Sequence, residues 1–129
     1  MGEQDLGGRT VLVVDDDADI RELIGMMLEM RGCRVVEAAD GRQALELAPQ
    51  VHPAVILMDL SMPVLDGYEA TRRLKAQPEL CGIPVVAVSA HCDPQHRQMA
   101  MAAGCSECVG KPVDFRLLGE LIKKLLPVN

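Results

Sequence analysis

Ala54-Val55-Ile56-Leu57-Met58-Asp59-Leu60-Ser61-Met62-Pro63-Val64-Leu65-Asp66-Gly67 is the stretch whose reading decides the fold. A short apolar run stopped by an acid, then a loop punctuated by Pro63 and Gly67, reads as a buried parallel strand whose carboxyl end opens into a site. Asp59 stands at that mouth. Alone it reads as a strand-end turn residue, and its weight depends on what the other strand ends carry.

Upstream, Thr10 to Val14 is a β-branched apolar run, a first strand that ends in Asp15-Asp16-Asp17. A helix follows, with Ile20, Leu23, Ile24, Met27 and Leu28 on one face and Gly32 closing it. Cys33 to Ala38 predicts a second strand, ended by the Asp40-Gly41 turn, and Arg42 to Ala48 a modest helix stopped by Pro49. Downstream, Asp66 caps a helix from about Gly67 to Ala76. Ile83 to Val88 is a fourth strand, ending at Ser89-Ala90. Asp93-Pro94 starts a helix that Gly104 ends. Cys108-Val109 belongs to a short fifth strand running into Gly110-Lys111-Pro112. Asp114 caps a last helix striped by Leu118, Leu121, Ile122 and Leu125, with Pro127 ending it.

Strands and helices alternating at this spacing imply a parallel sheet covered by helices on both faces, with right-handed crossovers. The expected organisation is a loose polar tail over residues 1–8 and one domain over residues 9–127, with no linker, repeat or output domain. At 129 residues, 49% hydrophobic and 25% charged, the chain suits one globular domain. A formal net charge of -6, with no basic patch, argues against a nucleic-acid surface. No stretch suits a membrane span or a signal peptide, so the expectation is a cytoplasmic protein without a membrane partner. Five cysteines, an odd number, fit a reducing compartment, and Cys105-x-x-Cys108 reads as buried structural thiols rather than half a zinc site.

Ligands in such folds bind outside the carboxyl ends of the strands. Those ends carry Asp15-Asp16-Asp17, Asp59, Ser89 and Lys111. Crowded carboxylates repel one another, which raises pKa values or demands a cation. A hard cation with oxygen ligands, most simply Mg2+, resolves that repulsion and leaves coordination places for phosphate oxygens. Lys111 adds a positive charge and Ser89 a neutral donor. A carboxylate nucleophile, a bridging metal and donors for equatorial oxygens are what in-line phosphoryl transfer needs.

In combination and order, Val-Val-Asp15-Asp16, Met-Asp59-Leu-x-Met-Pro63-x-Leu-Asp66-Gly67, Val-Ser89-Ala90 and Gly-Lys111-Pro112 resemble the receiver domain of bacterial response regulators, from about Thr10 to Leu126. The resemblance implies a flavodoxin-like fold: five parallel strands in the order 2-1-3-4-5 with five helices in three α/β/α layers. It implies that Asp59 is the phosphoacceptor, Asp16 a direct Mg2+ ligand with Asp15 assisting, and Ser61 a ligand through its backbone carbonyl. Ser89 and Lys111 would hold the phosphoryl group, the Lys111-Pro112 peptide would be cis, and Asp17 would serve the helix N-terminus. The implied function is that of a two-component phosphorelay receiver. It takes a phosphoryl group from a histidine kinase or histidine phosphotransfer protein and loses it by Mg2+-dependent self-hydrolysis. It is not otherwise an enzyme, and through the Ser89 loop and the following helix it switches contact with a downstream protein target.

One departure from that family is plain. The fifth-strand aromatic that moves with the Ser89 position in that family is replaced by Cys108, three residues before Lys111, which has no ring to swing between exposed and buried states. Ser89-Ala90-His91 and Ala102-Ala103-Gly104-Cys105 are similar to receivers attached to hybrid kinases. His91 reads either as a modulator of water access to the acyl phosphate or as a solvated loop residue. His52 and His96 read as surface residues, and the methionines near 26–30 and 99–101 as core or adaptable surface. Two rival readings stand beside the receiver. In a haloacid-dehalogenase-type phosphatase Asp15 would be the nucleophile and Asp17 the general acid. In a pseudo-receiver the fold would persist without phosphorylation.

Overall fold

A computed structural model describes residues 6–126. The elements run β1 (Thr10–Val14), α1 (Ala18–Met30), β2 (Arg34–Ala38), α2 (Gly41–Val51), β3 (Val55–Asp59), α3 (Gly67–Lys75), β4 (Val85–Ser89), α4 (Pro94–Ala103), β5 (Glu107–Gly110) and α5 (Phe115–Leu125). All strand pairings are parallel and the order is β2-β1-β3-β4-β5, as the sequence reading expects. Every residue of β3 and β4 is buried, which is why both read as unbroken apolar runs.

Alternate residues along the strands face opposite layers. Val11, Val13, Val55, Leu57, Val86 and Val88 pack under α1 and α5 against Ile24, Leu28, Leu118 and Ile122. Leu12, Ile56, Met58 and Ala87 face α2, α3 and α4, where Ala44, Ala48, Ala70, Leu74 and Ala100 meet them. Burying one of the larger aliphatic side chains here contributes about 1.5–3 kcal/mol. The two cores clamp the sheet from both sides, so the strand ends are rigidly placed.

Three local expectations need correction. Leu6 to Gly8, expected within a loose tail over residues 1–8, are tied to the fold: Leu6 is buried, its N–H donating to the Arg31 carbonyl at 3.0 Å, and Gly8 donates to Gly32 at 2.8 Å. Residues 1–5 and Pro127, the expected stop of the last helix, lie outside the described residues. Helix α2 does not stop at Pro49 but continues to Val51. A proline this close to the helix end gives up one hydrogen bond, and the chain turns only at His52, which caps α2 with φ 47° and donates to Ala48 at 2.9 Å. Strand β4 begins at Val85, because Ile83 is still held in a turn by its 3.0 Å bond to the Leu80 carbonyl.

Candidate functional site

Parallel pairing puts the carboxyl ends of β1, β3, β4 and β5 side by side. The registers pair Val14 with Met58, Asp59 with Val88 and Ser89 with Gly110, so Asp15, Asp59, Ser89 and Lys111 arrive on one rim. Asp15, Asp59 and Ser89 are all buried, with Asp59 only 4% exposed. Asp16 is exposed at the mouth of the site. One carboxylate oxygen each from Asp15, Asp16 and Asp59 lie within 4.8 Å of one another.

Each group is held by its own strand end. Asp15 Oδ1 accepts from the Asp17 N–H at 2.9 Å, and Asp59 Oδ1 from the Ser61 N–H at 3.2 Å. Ser89 Oγ accepts from the His91 N–H at 3.0 Å. Lys111 is anchored to β4 through its backbone, its N–H donating to the Ser89 carbonyl at 2.8 Å. Its Nζ reaches back across the rim, donating to Asp15 Oδ2 at 3.1 Å and lying 3.7 Å from Asp59 Oδ2. The Lys111-Pro112 peptide is cis, as the resemblance implies.

This electrostatic arrangement is unbalanced. Burial first, and then the charge of Asp15, push the Asp59 carboxyl up from 3.8 to about 7; Lys111 and the Ser61 N–H pull the other way and do not prevail. One lysine does not compensate three clustered carboxylates. Three hard oxygen donors from side chains, crowded around a deficit of positive charge, fit a small divalent cation that keeps part of its water shell. Ser61, expected to present its backbone carbonyl to a metal, also holds Asp59 through its N–H.

Asp17 stands apart from the cluster. It is the N-cap of α1, its side chain accepting from the Asp19 and Ile20 N–H groups at 3.0 and 3.3 Å. A carboxylate committed to the helix end is not the general acid that the phosphatase reading asks of it.

Some site residues were not legible in the sequence. Arg21 donates through its guanidinium to the Asp15 carbonyl at 2.7 Å and to Glu37 at 2.8 Å, fixing the turn that carries the acids. Nothing in the spacing marks it, because the bond crosses from helix to strand end. Gly67 lets α3 start directly against β3: a Cβ there would overlap the Asp59 carbonyl oxygen and lie 2.8 Å from Leu60 Cα. Glycine at the opening of a helix was visible, but its reason was not.

The cysteine reading is corrected in part. Cys105 is a buried thiol beside the Thr71 hydroxyl, as expected, but Cys108 is not: it is disulfide-bonded to Cys92. The crossover through α4 brings together two residues 16 apart in sequence, a proximity that no local spacing rule reports.

Comparison with known proteins places this arrangement in context. The family model described as the response regulator receiver domain matches residues 11–123. The polar-differentiation response regulator DivK of Brucella ovis is 33% identical over 92% of this chain and 96% of its own length. The phosphate regulon transcriptional regulatory protein PhoB of Pseudomonas aeruginosa is 34% identical, but the match spans only 52% of its length. Among solved structures, the receiver domain of a sensor histidine kinase from Pseudomonas aeruginosa, with a magnesium ion coordinated in its active site cleft, has a TM-score of 0.86. It is 34% identical, with 92% of this chain and 98% of that one covered.

Proposed function

The chain belongs to the response regulator receiver domain family, and from that premise we propose that it is a phosphorelay acceptor that takes a phosphoryl group from a phosphohistidine onto Asp59. The observation that carries this reading is the convergence of Asp15, Asp16 and Asp59 within 4.8 Å, with Lys111 reaching across from β5 and Ser89 on the strand between.

Asp59 Oδ attacks phosphorus as the P–N bond to the donor imidazole breaks, and the imidazole nitrogen leaves with that electron pair. Asp15, Asp16 and Asp59 would hold Mg2+, the ion recorded in the related kinase receiver, with Ser61 offering its carbonyl. Bound there, Mg2+ supplies charge neutralisation for the transferring oxygens and favours ionised Asp59. Lys111 exchanges its contact with Asp15 for a phosphoryl oxygen, and the Ser89 hydroxyl donates to another. Water attack at phosphorus later breaks the P–O bond to Asp59, releasing inorganic phosphate and regenerating the carboxylate, and the exposed His91, two residues beyond Ser89, would modulate the water's approach. The chain thus catalyses only its own phosphorylation and dephosphorylation.

The donor is a histidine kinase or a histidine phosphotransfer protein, and such a protein must cover the rim to reach Asp59. Beside the rim lies a groove of about 230 Å³ lined by Ile20, Leu23, Ile24, Pro112, Val113 and Phe115. Leu23 stands half exposed at its edge, which suits an apolar helix face carrying the phosphohistidine. Output passes to a downstream protein through the loop after Ser89 and α4, because the phosphoryl dianion gives Ser89 and Lys111 a shared partner in one state only.

Intact-protein mass spectrometry after acetyl phosphate and Mg2+ tests the reading. A single phosphate adduct that requires Mg2+ and disappears in Asp59→Asn is the expected result. An adduct that persists in Asp59→Asn, or none on folded wild-type protein with Mg2+ bound, would overturn it.

A further inference from the structure

Helix α4 is weakly anchored by its own side chains. Its only buried residues are Ala100 and Ala103, while Met99 and Met101 are exposed. Its remaining ties to β5 run through one arginine: Arg97 lies 3.7 Å from Glu107 and 3.5 Å from the Cys108 carbonyl. The disulfide makes up for this. Cys92 sits in the loop between Ser89 and the α4 cap Asp93, and Cys108 lies in β5 opposite Ala87 of β4. Their bond closes a covalent ring around the whole of α4, with the two Cα atoms 6.0 Å apart.

We propose that the Cys92–Cys108 pair is a reducible clamp that holds the β4–α4 loop and α4 against β5, so that only the reduced protein lets this segment move. Its link to output rests on Asp59 being the phosphoacceptor. While the bond is closed, Cys92, three residues beyond Ser89, is fixed to the neighbouring strand, and a change at Ser89 cannot displace the loop. Cys92 is half-buried and Cys108 buried, so attack comes at the Cys92 sulfur.

The chemistry is dithiol–disulfide exchange with a small or protein dithiol. Its thiolate attacks Cys92 Sγ and forms a mixed disulfide. Cys108 Sγ leaves with the bond's electron pair and takes a proton. The second thiol of the reductant then displaces Cys92 as a thiol. Two electrons pass to the pair and the reductant becomes its own disulfide. Reoxidation by a low-molecular-weight disulfide reverses each step. Cys33, Cys81 and Cys105 remain thiols throughout.

The test compares the full chain before and after dithiothreitol, by thiol labelling under denaturing conditions and by amide hydrogen exchange. Labelling with N-ethylmaleimide should reach three cysteines before reduction and all five after. Without any phosphodonor, exchange over residues 90–104 should accelerate about tenfold on reduction, with β1 and β3 unchanged. Cys92→Ser should exchange like the reduced protein whatever the redox state. With acetyl phosphate and Mg2+, the reduced protein should show a further change over residues 90–104 and the oxidised protein none there, although both carry the adduct. Five labels before reduction, or identical exchange over 90–104 in the two redox states, would overturn the clamp. Absence of an adduct in both states would instead overturn the acceptor reading, while the donor-free exchange still judges the clamp.

Discussion

Asp59 is an acid whose ionisation the fold resists, and the sign of the consequence follows from its shift. Its folded value of about 7 lies above the ordinary 3.8, so the folded chain holds this proton more tightly than the unfolded chain does. The resulting stability is fully present below 3.8 and is lost as pH rises through about 7. In metal-free buffer, Asp59→Asn should therefore gain stability relative to wild type between pH 4 and pH 7, by roughly 2–4 kcal/mol, in parallel urea titrations. Mg2+ should narrow that gap by stabilising wild type alone. Two other residues carry backbone rather than charge constraints. Val64, β-branched and 77% exposed, sits at φ 71° in the loop beyond Asp59. Val64→Gly should raise the urea midpoint by the equivalent of roughly 0.5–1 kcal/mol, because the left-handed penalty disappears and no packing is lost. Gly67→Ala should cost roughly 1–3 kcal/mol and reduce phosphate uptake from acetyl phosphate, since the new methyl displaces the strand end that bears Asp59.

Each of the five helices starts from an aspartate whose side chain accepts from its first-turn N–H groups: Asp17, Asp40, Asp66, Asp93 and Asp114. Five of the chain's 19 acidic residues thus serve helix N-termini, where carboxylates satisfy orphan donors and meet the positive end of the dipole. Asp114→Ala should destabilise by about 1 kcal/mol in urea unfolding, with Asp114→Asn close to wild type. This is the scale at which the sequence is most legible. A cap, an apolar period and a breaker are local signals, and Asp66, Asp93-Pro94, Gly104 and Asp114 all mark element ends where they were expected. Pro49 misleads because a breaker's cost depends on how many turns remain after it, and here almost none do.

Across the whole molecule, one covalent link adds to the two packed cores. The Cys92–Cys108 bond closes a ring over a sequence separation of 16 and restricts the unfolded chain, so reduction should lower unfolding stability by about 3 kcal/mol. Urea titration with and without dithiothreitol checks this, and Cys92→Ser should show no such difference. By itself the sequence determined the alternation of strands and helices, the family resemblance, and which strand ends carry Asp15, Asp16, Asp59, Ser89 and Lys111, because period, caps and motif order are properties of neighbouring residues. Only the tertiary structure decided which of those groups touch. Lys111 lies 96 positions from Asp15 yet bonds it, Arg21 ties α1 to the Asp15 carbonyl, Gly67 is required by a backbone packed against it, and Cys108 bonds Cys92 rather than remaining a thiol. Such contacts are made by crossovers that bring distant strand ends onto one rim, and no local pattern along the chain records them.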